Sequence, residues 1–138
     1  MIYFDNSATT QVDKTVLETY QKVSNQIWGN PSSLHNMGET ALNLLEQSRK
    51  QIADLLNVQP HEIFFTSGGT EGDNWVIKGT AIEKRAYGKH LITTTVEHPA
   101  VQNTMAQLEQ LGFDVTYLSV DDEGRISIQD LKDAIRPD

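Results

Sequence analysis

Apolar residues at Val12, Val16, Tyr20, Val23 and Ile27 recur at helical spacing, which predicts an amphipathic helix over residues 13–27. Trp28-Gly29-Asn30-Pro31 should end it. A second helix is predicted over residues 33–57, burying Leu34, Met37, Ala41, Leu44, Leu45, Ser48, Ile52 and Leu55 on one face. Gly38 falls inside it with no reason visible in the sequence. From there the rhythm changes. Short apolar or β-branched runs at residues 62–66, 90–96 and 113–120 read as strands, separated by helical patterns at 70–86 and 99–111. A short strand-like opening at residues 2–4 precedes all of this. The turn Asp121-Asp122-Glu123-Gly124 leads through strand-like Arg125-Ile126-Ser127-Ile128 to a last helix over 128–135.

Strand–helix–strand alternation with short connections implies a mainly parallel sheet with right-handed crossovers. The predicted fold class is therefore α/β, with a βαβαβ run. Pro99 at a first helical turn and Gly112 just past a helix end fit that assignment. Three strands are few for an open α/β sheet, and the last helix has no following strand to complete its crossover. The expectation is thus a fragment of a larger domain. Such a part should carry an open sheet edge and uncovered apolar surface, so that the isolated chain self-associates or is only marginally stable.

Composition narrows the functional classes. The 138 residues are 38% hydrophobic with a formal net charge of −8, enough for a globular core and of the wrong sign for a nucleic-acid or anionic-membrane surface. No apolar run approaches the roughly 18 residues needed to span a bilayer, and the opening Met1-Ile2-Tyr3-Phe4-Asp5-Asn6 has no basic n-region, so a cytoplasmic setting is expected. With no cysteine, disulfides, thiolate zinc sites and thiol nucleophiles are excluded for these residues.

In an open parallel sheet, ligands sit beyond the carboxyl ends of the strands. Two polar loops fall there, and they should be neighbours. In Phe64-Phe65-Thr66-Ser67-Gly68-Gly69-Thr70-Glu71-Gly72-Asp73-Asn74 an apolar run meets two glycines and then a helix start. The free N–H groups and dipole of such a start favour an anion, and Thr70 adds a hydroxyl donor. An ordinary strand-to-helix connection would look the same. In Thr93-Thr94-Thr95-Val96-Glu97-His98-Pro99, His98 follows a strand and precedes a helix-opening proline. It can stack on a planar ring or move a proton, or simply cap its helix. Glu71 and Asp73 read as first-turn carboxylates complementing the helix dipole. His35, His61, His90 and His98 have no metal-ligand spacing, so no metal is expected. Neither the Gly-Lys-Ser/Thr ending of an ATP-binding loop nor the dinucleotide glycine pattern is present.

Four motifs in order carry a resemblance. Tyr3-Phe4-Asp5-Asn6-Ser7-Ala8-Thr9-Thr10, Gly29-Asn30-Pro31-Ser32-Ser33-Leu34-His35, the Phe64–Glu71 stretch and Glu97-His98-Pro99-Ala100 together resemble the cysteine desulfurases of the NifS/IscS type, across essentially the whole chain. That family lies in the class V aminotransferase group of fold-type I pyridoxal-phosphate enzymes. The resemblance implies part of a three-layer α/β/α large domain over residues 13–138, and an amino-terminal segment, residues 1–12, that packs with a small domain. It implies pyridoxal 5'-phosphate as cofactor, with Gly69 and Thr70 holding its phosphate and His98 stacking on its ring and taking part in proton transfer. Asn6, Ala8, Thr9 and Asn30 would lie near the substrate pocket or dimer interface. Implied partners are L-cysteine, a sulfur-acceptor scaffold protein for iron–sulfur or thio-cofactor assembly, and a second subunit in a homodimer, with neither nucleic acid nor membrane. Many relatives have Glu-Ser-Asn-Asn where this chain has Glu71-Gly72-Asp73-Asn74, a departure confined to the helix start.

The family's chemistry also needs a Schiff-base lysine in a Ser/Thr-x-His-Lys context and a cysteine thiolate that accepts sulfur as a persulfide. Neither is present, since Lys89-His90 has the reverse order, so the 138 residues alone are expected to be inactive. Two alternatives remain open: another class V enzyme, such as a selenocysteine lyase or an aminotransferase, or a non-catalytic anion-binding or interaction module.

Overall fold

The computed structural model describes residues 2–137. The chain divides into two compact units, with the boundary between Phe64 and Phe65.

The first unit is helical. Asp13 caps helix α1 (Lys14–Gln26) by accepting hydrogen bonds from the N–H and hydroxyl of Thr15. None of the α1 residues is buried; Val16 and Tyr20 are exposed, and only Val23 is partly covered. Helix α2 (Asn36–Leu56) starts three residues later than its apolar pattern suggests, because Asn30 to Ser33 form a turn of their own. Asn30 Oδ1 accepts from Ser32 N at 2.9 Å, and the Asn30 carbonyl accepts from Ser33 N at 2.9 Å. His35 then caps the helix, its Nδ1 accepting from Gly38 N at 3.2 Å.

That turn lies flat on the first turn of α2 and explains Gly38. A Cβ on Gly38 would sit 2.2 Å from the Ser33 carbonyl oxygen and 2.8 Å from that of Asn30. The glycine is there because backbone passes where a side chain would be. At its other end α2 closes on Asn57 in the left-handed conformation (φ 55°), with Val58 N donating to Ala53 O at 3.0 Å. The expected buried face is only partly realised. Ala41 and Ala53 are buried and Leu44, Leu45 and Ser48 half-buried, but Leu34, Met37, Ile52 and Leu55 are exposed, Leu55 at 85%.

Two predicted strands are absent among the described residues. Residues 2–4 are extended neither into a sheet nor under cover, with Phe4 90% exposed. In place of a strand at 62–66 there is a 3-10 turn (Pro60–Glu62), after which Ile63 has extended dihedrals but joins no sheet. The Arg49 guanidinium donates to the Ile63 carbonyl, and Ile63 N donates to Pro60 O. An apolar run becomes a strand only where a neighbour takes up its hydrogen bonds, and here local partners take them instead.

The second unit holds helix α3 (Gly69–Lys84), strand β1 (His90–Thr94), helix α4 (Pro99–Gln110), strand β2 (Asp114–Leu118) and helix α5 (Ile128–Ala134). β1 and β2 pair in parallel, His90 opposite Asp114 through Thr94 opposite Leu118. The βαβ part of the reading therefore stands, as a two-stranded sheet. Ala81, Met105, Leu108 and Phe113 form the core, with Ile77, Leu91, Val101 and Val115 packed against it, so α3 and α4 lie together on the sheet. Gly112 (φ 85°) ends α4 as a left-handed residue, and Phe113 N returns to Leu108 O at 3.1 Å. Strand-like residues 125–128 reduce to one antiparallel bridge between Val120 and Ile126, and Ser127 caps α5.

Candidate active site

Two helix starts dominate the second unit. α3 ends at Lys84, shortly before β1 begins at His90; α4 begins at Pro99, shortly after β1 ends at Thr94. Both helices thus run against the direction of β1, which brings their N-termini to its carboxyl end, where open parallel sheets bind ligands. The structure so brings Gly69, Thr70 and His98 to one end of this unit. Asn6, Ala8, Thr9 and Asn30 belong to the first unit. There Asn6 to Ala8 form an exposed turn, closed by Ala8 N to Asp5 O at 3.1 Å, and Asn30 turns the chain into α2 as described.

At α3 the first intrahelical bond is Gly72 N to Gly68 O, at 3.1 Å. The N–H groups of Gly69, Thr70 and Glu71 have no acceptor among the described residues, and no side chain caps them. The Thr70 hydroxyl is likewise uncommitted among them, while the Thr70 carbonyl is held by Asn74 Nδ2 at 2.8 Å. A Cβ on Gly68 or Gly69 would meet no atom within 4 Å, so the space at the helix start is open. Ser67, Thr70, Glu71, Asn74 and Trp75 line a hollow there. Three N–H donors, a hydroxyl and the positive end of a helix dipole are a donor set that fits a phosphate group.

Glu71 folds back to accept from Ser67 N. The bonds it accepts from the Ser67 hydroxyl and then from the Ser67 N–H hold its carboxyl below the usual glutamate range. It thereby clamps the turn Ser67-Gly68-Gly69 without using the three free N–H groups. The sequence signal for this was visible: a glutamate at the third helical position often reaches back to the chain before the cap.

At α4, His98 is the cap. Its Nδ1 accepts from Ala100 N at 3.1 Å, and its carbonyl accepts from Val101 N at 2.8 Å. The loop before it is tied at several points. Thr94 Oγ1 donates to Glu97 Oε1 at 2.9 Å, Gln102 Nε2 to Thr95 O at 3.3 Å, and Thr95 N to Leu118 O at 3.0 Å. Thr94 and Glu97 stood in the loop singled out from the sequence but Gln102 did not, and neither pairing was legible, because contacts across three to seven residues around an irregular loop leave no periodic trace.

The aminotransferase class-V family profile matches residues 2–138. The chain belongs to the class-V aminotransferase family. Among its class-V relatives is a NifS/IcsS protein homolog of Lactobacillus delbrueckii subsp. bulgaricus, 61% identical over 138 residues, which are all of this chain and 36% of that protein. The cysteine desulfurase IscS of Methanosarcina thermophila is 50% identical over 137 residues, covering 99% of this chain and 34% of its own length. Two solved structures align closely. A NifS-like protein superposes with a TM-score of 0.91 at 42% identity, over 97% of this chain and 37% of that one. SspA in complex with cysteine gives 0.88 at 46% identity, over 98% and 39%. The chain thus spans about a third of the length of these relatives. A class-V fold-type I assignment agrees with the α/β reading, here as helices with a short parallel sheet.

Proposed function

We propose that this chain is the amino-terminal part of a pyridoxal-phosphate-dependent cysteine desulfurase, which converts L-cysteine to L-alanine and passes the sulfur to an enzyme cysteine as a persulfide. The observation that carries this is the phosphate-matched donor set of Gly69, Thr70 and Glu71 N–H, with the Thr70 hydroxyl, at the same strand end as the His98 loop. Bound there, pyridoxal 5'-phosphate supplies an electron sink for charge developing on the substrate. The chain's own part is to seat the phosphate at Gly69 and Thr70 and to set the His98 ring beside the cofactor.

The name of a relative at 50% identity, a cysteine desulfurase, and a structural neighbour described in complex with cysteine support L-cysteine as substrate. On the same reading residues 13–138 belong to the cofactor-binding large domain and residues 1–12 pack with a small domain. Asn6, Ala8, Thr9 and Asn30 then serve the substrate pocket or a homodimer interface. The protein works in the cytoplasm and hands sulfur to an acceptor scaffold. No helix among the described residues is long and apolar enough to cross a membrane.

The test is the reading frame beyond the Asp138 codon. A downstream Ser/Thr-x-His-Lys motif, followed by a cysteine in a loop, is the expected result. A stop codon directly after Asp138 would overturn the desulfurase reading and leave an anion-binding module.

A further inference from the structure

Two glycines give the α3 start its open space, and the same two glycines leave its backbone loosely held. A Cβ on Gly68 or Gly69 would meet nothing within 4 Å, so no packing fixes the dihedrals of either residue. Glycine also loses more conformational freedom on ordering than any other residue. Donors on such a turn bind an anion tightly only if something else holds them in place beforehand. Two side chains do so here. The Thr66 hydroxyl donates to the Gly68 carbonyl oxygen at 3.2 Å, and that oxygen also accepts from Gly72 N at 3.1 Å. Glu71 Oε2 accepts from Ser67 N at 2.5 Å, and its carboxylate accepts from the Ser67 hydroxyl as well. The tie closes a loop from residue 67 to residue 71, and the Gly69 and Thr70 N–H groups lie inside that loop. Every group in it lies between Thr66 and Gly72.

The Glu71 charge needs its own explanation. A free carboxylate in the first turn of a helix is drawn to the orphan N–H groups, where it would stand in place of an external anion. Bound to Ser67, it spends its lone pairs on the residue ahead of the cap. The N–H groups of Gly69, Thr70 and Glu71 stay without an acceptor among the described residues. We propose that Glu71 is a positioning residue for the phosphate seat: its reach to Ser67, not its charge, holds the Gly68-Gly69 turn so that the three N–H donors and the Thr70 hydroxyl are ready for one anion. This role rests on the reading of the α3 start as the seat of the cofactor phosphate. Glu71 acts through the turn, by removing freedom that binding would otherwise have to remove.

Amide-resolved NMR titration of the nitrogen-15-labelled full chain, first with inorganic phosphate and then with pyridoxal 5'-phosphate, tests this. The parent should shift at the Gly69, Thr70 and Glu71 amides. Glu71→Gln keeps an acceptor oxygen at the same reach and should bind at least as tightly as the parent. Glu71→Ala loses the tie, and Glu71→Asp keeps the charge but is one methylene too short. Each of these two should bind roughly tenfold more weakly, the cost of ordering about one backbone residue on binding. Urea melts at Trp75 place each titration under conditions where the variant is folded. Hydrogen exchange at the Ser67 amide reads the tie directly, slow in the parent and Glu71→Gln and fast in the other two. Equal affinity in all four proteins, Glu71→Asp as tight as the parent, or Glu71→Gln as weak as Glu71→Ala would each overturn the proposal and leave the desulfurase reading untouched. A parent whose Gly69, Thr70 and Glu71 amides respond to neither anion would overturn the phosphate seat, and with it both the functional reading and this proposal.

Discussion

Replacing Gly38 by alanine tests the packing of the Asn30 turn directly. In an unobstructed helix, Gly→Ala gains about 1 kcal/mol. Here the added Cβ would lie 2.2 Å from the Ser33 carbonyl oxygen and 2.8 Å from that of Asn30. Restoring ordinary contact requires the turn to move by roughly 1 Å. Both obstacles are backbone, so no rotamer change relieves them, and the turn is further fixed by Asn30 Oδ1 on Ser32 N. Forced overpacking of this kind costs about 1–3 kcal/mol, and a backbone clash belongs in the upper half of that range. Subtracting the helix gain leaves a net loss of about 1–2 kcal/mol, a change of roughly 5- to 30-fold in the folded population. Gly79 is the control: a Cβ added there would stand 3.8 Å from its nearest neighbour, Trp75 Cδ1, so Gly79→Ala should stabilise by up to about 1 kcal/mol. The two tryptophans fall one in each unit, Trp28 in the first and Trp75 in the second, so urea melts read by fluorescence in Trp75→Phe and Trp28→Phe backgrounds assign each effect to its unit. A Gly38→Ala chain as stable as the parent by the Trp28 signal would refute the close-approach argument.

Thr70→Ala should weaken binding of pyridoxal 5'-phosphate by roughly 10- to 100-fold, the worth of one hydrogen bond to a charged group, as read by titration against inorganic phosphate as competitor. Glu71 has a lowered carboxyl pKa in the fold, so its unfolded form binds protons first as pH drops; its contribution is full above the ordinary glutamate value and is lost as pH falls through the lowered one. Glu71→Gln should therefore flatten the acid limb of a stability–pH curve read at Trp75, and an unchanged limb would count against the clamp on Ser67. Leu108, fully buried, should cost about 2–5 kcal/mol on truncation to alanine, seen as an earlier Trp75 transition. With Phe4, Leu34 and Leu55 exposed, light scattering should show concentration-dependent association of the chain, and a monodisperse monomer would contradict that.

Periodicity located the helices to within a few residues, because amphipathic spacing and caps such as Asp13 and Ser127 are local facts. It failed where a partner decides. Residues 62–66 have the composition of a strand, yet Arg49 and Pro60 take the hydrogen bonds of Ile63. Leu34 and Leu55 fit an apolar stripe, yet the first unit covers neither. Gly38 shows the converse case, since its necessity lies in a turn five to eight residues earlier that lies against it, which no helical pattern encodes. Of the candidate site, His98 was legible as a residue just past a strand, and Gly69 and Thr70 as a helix start, though the apolar run before them forms no strand. The bonds that fix them, Glu71 on Ser67 and His98 on Ala100, span at most four residues but needed coordinates to choose among possible partners.

Each of the two helix starts is shaped by its own neighbours: a carboxylate reaching back to one N–H at α3, an imidazole reaching forward to one N–H at α4. Only their common location depends on the sheet, and one parallel pair with α3 and α4 packed on it suffices for that. The α3 start keeps three N–H donors unspent, whereas the α4 start spends the histidine's lone pair on its first amide. The same physical need, satisfying orphan amides at a helix end, is thus met by a side chain at α4 and left unmet at α3, whose start is able to receive an anion.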